Sequence, residues 1–290
     1  MKTFLPWLKW AAGAACWLAL AATTAAAGSG LRFGVFPSLS PRILVETYQP
    51  LAVALEASLG EPVGLETAPD FLAFHRRTVD GEYDLVLTAP HLAWLAWKED
   101  GYLPILRYAT PVRGVMIVRA DSPYRQMSDL RGKIVAMPDL LAIVGIRMER
   151  MLEGAGLRKG RDFKTVNAGS HTNAAVHVRE GQADAAVIGI QAFQQLPREL
   201  KKGMRIIAET PPIPGQVFLV HGRLGKARAR AIAQAIETFT HGEAGKAFLQ
   251  KGDFGGVIPL EKNELDRVKG DARKLTGQLR MQAPGGSGAR

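Results

Sequence analysis

The chain alternates short apolar runs with longer stretches whose apolar positions recur every three or four residues. LRFGVF (31–36), PVGLETA (62–68) and YDLVLTA (83–89) predict strands. Between them, 43–59 and 70–80 predict amphipathic helices, the first with Leu44, Leu51, Ala54, Leu55 and Leu59 at helical spacing. This β-α-β-α-β order predicts a mostly parallel sheet with helices on its faces.

The same order returns about one hundred residues later. Arg32–Pro37 parallels Lys133–Pro138: a basic residue, an apolar strand and a closing proline. Leu65–Asp70 parallels Thr165–Ser170, and helical stretches of equal length follow at Phe71–Asp80 and His171–Glu180. Both end at a glycine, Gly81 or Gly181, suited to the left-handed position past a helix. Each glycine opens a Gly-x-x-Asp turn into an apolar strand, at Asp84 and at Asp184. Strand, cap, helix length, glycine and aspartate in register predict two similar α/β lobes.

The joints follow from the strands left over. Gly114–Arg119 runs out of the first lobe, Met204–Ala208 runs back, and Thr210–Pro214 is a stiff proline-rich return. Gln216–Val220 then makes a last strand, with helical stretches at 225–241 and 243–251. The expected division is a discontinuous first lobe (28–116 plus 210–279), an inserted second lobe (117–209) and a flexible tail (280–290). Two crossings between lobes permit hinge closure over a cleft.

Composition narrows the function. With 290 residues, 47% hydrophobic and 22% charged, the chain is neither disordered nor a multi-span membrane protein. The formal charge of +10 includes Lys2 and Lys9 of a leader, and the remaining excess forms no single basic block. Nucleic acid is therefore not an expected partner. Met1–Ala27 reads as a signal peptide: lysines, an apolar run from Ala11 to Ala22, and Ala25-Ala26-Ala27 as the cleavage site. The run is shorter than the roughly 20 residues of a membrane span, so no stable insertion is expected after cleavage. Cys16, the only cysteine, leaves with the leader. Disulfides, thiolate zinc and thiol nucleophiles leave with it, and the expected location is the periplasm. There is no nucleophile elbow, phosphate-binding glycine loop, paired-carboxylate motif or metal-ligand spacing. Neither catalysis, a metal nor a cofactor is expected.

In open parallel sheets, ligands sit beyond the carboxyl ends of strands, where helix N-termini offer free N–H groups. Those positions are Ser38, Ser40, Thr88 and His91 on the first lobe, and the loop after Pro138 with Ser170, His171 and Thr172 on the second. Ser170 also suits a plain N-cap. His171 is expected to face the cleft as a neutral donor, with His91 meeting the same solute from the other lobe. Replacing His171 by alanine should then weaken binding without altering unliganded stability.

The chain resembles the periplasmic phosphate/phosphite/phosphonate-binding proteins of ABC importers from about Arg32 to Arg267. The resemblance is carried by Tyr48–Gly60, Gly81-Glu-Tyr-Asp-Leu, Ala89-Pro90, Arg119-Ala-Asp-Ser-Pro with Asp129-Leu-Arg-Gly-Lys133, Gly169-Ser-His171, Gly181-Gln-Ala-Asp-Ala185 and Pro211–Pro214. It implies a type II periplasmic-binding-protein clamshell that captures a small solute for a membrane permease. A periplasmic partner of a sensor histidine kinase is the alternative role. The family's Ser-Thr-Ser-Gly motif, whose hydroxyls grip phosphonate oxygens, is here Ala142-Ile143-Val144-Gly145. Three hydrogen bonds to a charged group, at about 1.5–3 kcal/mol each, are missing. The expected ligand is thus another oxyanion or a small organic solute, and not an ordinary phosphonate.

Overall fold

A computed structural model describes residues 30–282, and the expected signal peptide lies outside the described residues. The elements run β1 (Leu31–Val35), α1 (Pro41–Leu59), β2 (Val63–Glu66), α2 (Phe71–Val79), β3 (Leu85–Thr88), α3 (Pro90–Lys98), β4 (Tyr102–Tyr108) and β5 (Gly114–Arg119). Then come β6 (Ile134–Met137), α4 (Ile143–Gly154), β7 (Lys164–Asn167), α5 (His171–Arg179), β8 (Ala185–Gly189), α6 (Ile190–Gln195), α7 (Arg198–Lys202) and β9 (Met204–Glu209). The chain ends with β10 (Val217–His221), α8 (Gly225–His241), α9 (Glu243–Gly252), β11 (Val257–Ile258) and α10 (Lys269–Gln282).

Two sheets result, ordered β11-β4-β10-β3-β1-β2 and β7-β6-β8-β5-β9. In the first, β1 is parallel to β2 and β3, and β10 is antiparallel to β3 and β4. In the second, β6 is parallel to β7 and β8, and β5 is antiparallel to β8 and β9. The sheets share one plan: three parallel strands, then one antiparallel strand, β10 in the first and β5 in the second. β5 begins at Gly114 and pairs with β8 and β9 along its length, so the boundary expected at 117 falls inside a strand.

The repeated residues have matching physical roles. Asp70 and Ser170, both in extended backbone, accept from the N–H groups of Ala73 (2.7 Å) and Asn173 (3.1 Å) and cap α2 and α5. Gly81 (φ 67°) and Gly181 (φ 73°) take the left-handed turn that a side chain would strain. Asp84 accepts from Arg32 N, and Asp184 from Ile134 N, both at 2.9 Å. Each aspartate fastens the start of the middle one of its sheet's three parallel strands. Arg32 therefore corresponds to Ile134, one residue beyond the Lys133 of the sequence alignment.

Four elements depart from expectation. β4 carries Pro104 and Arg107, which mask it as a strand; its ladder with β10 shifts between Phe218 and Leu219, beside Pro104. α10 continues to Gln282, so the first three residues of the expected tail are helical, and the rest lies outside the described residues. The short α6 and α7 had no readable period.

The crossings, residues 109–113 and 210–216, are fastened by reciprocal Val112–Ile213 backbone bonds of 3.0 Å each and by Thr210 Oγ1 accepting from Gly114 N at 2.8 Å. The C-terminal segment adds a further tie. Glu264 pairs with Arg107 in the first sheet (2.8 Å), while Asp271 pairs with Arg147 of α4 (2.9 Å).

Candidate ligand-binding cleft

The carboxyl ends of β1 and β8 and the starts of α4 and α5 converge on a cleft of about 630 Å³, a volume that includes its open mouth. From the first lobe, the turn after β1 supplies Phe36, Ser38 and Leu39, α1 supplies Tyr48, and α2 supplies Phe71. Phe254, beyond α9, completes that wall. From the second lobe come Ala142, Ile143 and Val144 at the start of α4, His171 at the start of α5, and Gln191, Ala192 and Gln195 on α6. Val112 and Gln216 of the crossings also line it.

Aromatic rings dominate one wall. Phe36 and Phe71 meet edge-to-face at 5.7 Å, while Phe254 stacks against Tyr48 at 6.1 Å and Tyr108 at 4.0 Å. Tyr48 is buried, and burial raises its phenol pKa above the usual value, so it stays protonated. No charged side chain among the described residues lines the cleft. The carboxylate of Asp139, in the loop that leads to α4, accepts from Leu141 N at 2.7 Å. Burial raises its pKa, helped by the nearby charge of Asp70.

Of the seven expected site residues, Ser38 and His171 line this cleft. Ser40 and Ser170 line a separate space together with Pro41, Thr67 and Asn173. Ser170 is committed there as the cap of α5. Thr172 is half-buried and lines neither space. Thr88 is 1% exposed, with its hydroxyl unpartnered, and is not part of the cleft wall.

His91 corrects the expectation most. Its ring is 0% exposed and its Nε2 donates to the carbonyl of Leu141 at 2.8 Å. That bond runs from α3 of the first lobe to the loop before α4 of the second, so His91 ties lobe to lobe, and it is not among the residues that line the cleft with His171. Burial pushes its pKa down to about 4, although the bond to Leu141 opposes the shift. The ring is neutral at physiological pH.

His171 is also buried, and burial pushes its pKa down to about 4. Its Nδ1 accepts from Gly189 N at 3.2 Å, which assigns the ring proton to Nε2. Removing the ring would leave a buried N–H without a partner, so an effect on binding alone is no longer expected.

The α6 glutamines, Gln216 and the aromatic wall were missed from sequence. α6 directly follows the end of β8, as α3 follows β3, so the strand-end rule could have marked it.

The family of periplasmic phosphonate-binding substrate-binding proteins of ABC transporters matches residues 33–265. Among solved structures, PhnD1 from Prochlorococcus marinus in complex with methylphosphonate superposes with a TM-score of 0.77 at 17% identity, covering 85% of this chain and 98% of that one. A binding protein component of an ABC phosphonate transporter from Pseudomonas aeruginosa gives a TM-score of 0.76 at 15% identity, covering 88% and 90%. A Xanthomonas citri protein bound to chloride ion gives 0.69 at 20% identity, covering 86% and 99%. These likenesses carry the type II periplasmic-binding-protein fold. With its family match spanning most of its length, the chain belongs to the periplasmic substrate-binding proteins of ABC phosphonate transporters, which bind solutes and are not enzymes.

Proposed function

We propose that this protein, exported and freed of its leader near Ala27, captures a small uncharged organic solute in the cleft and presents it to a membrane permease. The observation that carries this reading is the uncharged wall that contains Ala142, Ile143 and Val144 at the start of α4. An anion drawn into such a space loses several kcal/mol of hydration and recovers it only from well-placed donors. The helix N-termini of α4 and α5 would each return about 0.3–2 kcal/mol, too little without hydroxyls or a cation. An uncharged solute meets no such penalty and gains roughly 25 cal/mol per Å² of apolar surface buried. Closure of the lobes about the crossings would retain the solute, and His91 with Leu141 would hold the closed form.

Calorimetric titration of the mature protein tests this. Phosphate and methylphosphonate should bind weakly or not at all, and an uncharged solute should bind one-to-one. Sub-micromolar affinity for either anion would overturn the proposal.

A further inference from the structure

Three of the polar side chains on the cleft are oriented by bonds within the protein. Gln191 Nε2 donates to the carbonyl of Pro111 at 3.1 Å, and Gln195 Nε2 donates to the carbonyl of Gly252 at 3.0 Å. A backbone carbonyl only accepts, so each amide turns its nitrogen toward it; that bond uses one N–H and leaves Oε1 as a free acceptor beside one remaining N–H. Both glutamines therefore offer acceptors. His171 does the reverse: with Nδ1 occupied by Gly189 N, its ring proton lies on Nε2, which is a donor. These groups share the cleft with the Ser38 hydroxyl, the Gln216 amide and a single aromatic wall on the first lobe, which includes Phe36 and Phe71.

We propose that the solute is a flat, uncharged heteroaromatic ring that carries N–H donors for the glutamine carbonyls and a ring or carbonyl acceptor for His171. This rests on the reading that the cleft takes an uncharged solute. A carboxylate, sulfonate or phosphonate would find no cation on the wall to answer its charge, and it would crowd the two amide oxygens. A quaternary ammonium would find aromatic faces but no counter-charge on the wall, and it would leave the His171 donor unanswered. An aliphatic polyol could satisfy the polar atoms but would waste the stacking surface.

The test is a thermal-shift and calorimetry panel on the mature protein. It sets cytosine, nicotinamide and their N-methylated forms against phenylphosphonate, benzenesulfonate, choline and glycerol. His171→Asn is the partner variant, because its side-chain oxygen can still accept from Gly189 N while the Nε2–H is lost. The expected result is binding of a neutral heterocycle, with about a tenfold loss of affinity on methylating its N–H and a similar loss in His171→Asn. Binding of glycerol or choline without the heterocycles would overturn this inference. Glycerol would leave the uncharged-solute reading standing, whereas preferred binding of either aromatic anion would overturn both. A panel in which nothing binds would count against both as well.

Discussion

Restoring the three missing hydroxyls should convert the cleft into an anion site. In the variant Ala142→Ser, Ile143→Thr, Val144→Ser, side-chain donors would appear at three positions that line the cleft, beside the N-terminus of α4. Each hydrogen bond to a charged oxygen contributes about 1.5–3 kcal/mol, so three give an upper range of roughly 5–9 kcal/mol. Part is lost to ordering the hydroxyls and to the neighbouring Asp139 carboxylate, leaving on the order of half, or about 10² to 10⁴ in affinity. The fold should tolerate the change. Ala142 is the N-cap of α4 and makes no side-chain cap bond, so serine there should add about 1 kcal/mol. That offsets some of the packing lost where Val144 lies against Gly114, whose position for a Cβ is 3.0 Å from Val144 Cβ. Calorimetry with methylphosphonate at neutral pH, run on the triple variant, on Ala142→Ser alone and on the parent, reads the effect. Ala142→Ser should raise the melting temperature and barely change binding. A triple variant that folds but binds methylphosphonate no better than the parent would refute the idea that these side chains exclude anions.

The remaining expectations concern the two histidines and the repeated aspartates. His171→Ala should destabilise the unliganded protein by about 1–3 kcal/mol, because Gly189 N is stranded, whereas His171→Asn should recover most of that stability in chemical denaturation. Both rings have folded pKa values pushed down to about 4, below their unfolded value near 6.5, so the unfolded chain binds the extra protons between those pH values. Their contribution to stability is full above about pH 6.5 and falls toward pH 4, by about 3 kcal/mol per ring at most. Asp100, pushed up to about 6 by burial, acts in the opposite sense and offsets part of the fall. Melting curves from pH 7.5 to 4.5 should show this loss, flattened in a His91→Gln, His171→Asn double variant; equal slopes would contradict it. Asp184→Ala should free the start of β6 by removing acceptors for Ile134 N and the Tyr124 hydroxyl, at a cost of about 2–4 kcal/mol by denaturant unfolding.

Local chemistry made much of the fold legible. Gly-x-x-Asp marked two strands because its glycine needs a left-handed backbone and its aspartate binds a neighbouring strand's N–H, and both demands are short-range. The offset of the first strand was misread by one residue because Lys133 resembles Arg32 in type, whereas pairing makes Ile134 its counterpart. β4 stayed hidden because its proline is tolerated only beside a register shift that forms with β10, an element more than one hundred residues away. In the site, position at a strand end marked His171 and His91 alike. What separates them is tertiary: one ring meets Gly189 beside the cleft, and the other meets Leu141 across the lobes. The amide orientations of Gln191 and Gln195 depend on the carbonyls of Pro111 and Gly252, which no local pattern could reveal.

The central claim is that the cleft itself holds one uncharged solute. Native mass spectrometry of the protein recovered from its periplasm tests it most directly, with the released small molecule then identified and Ala192→Trp as the cleft-filling control. The expected spectrum shows a one-to-one adduct that is uncharged once released and is absent from Ala192→Trp. An adduct that proves to be phosphate, a phosphonate or a sulfonate, or one that persists when the cleft is filled, would contradict the claim.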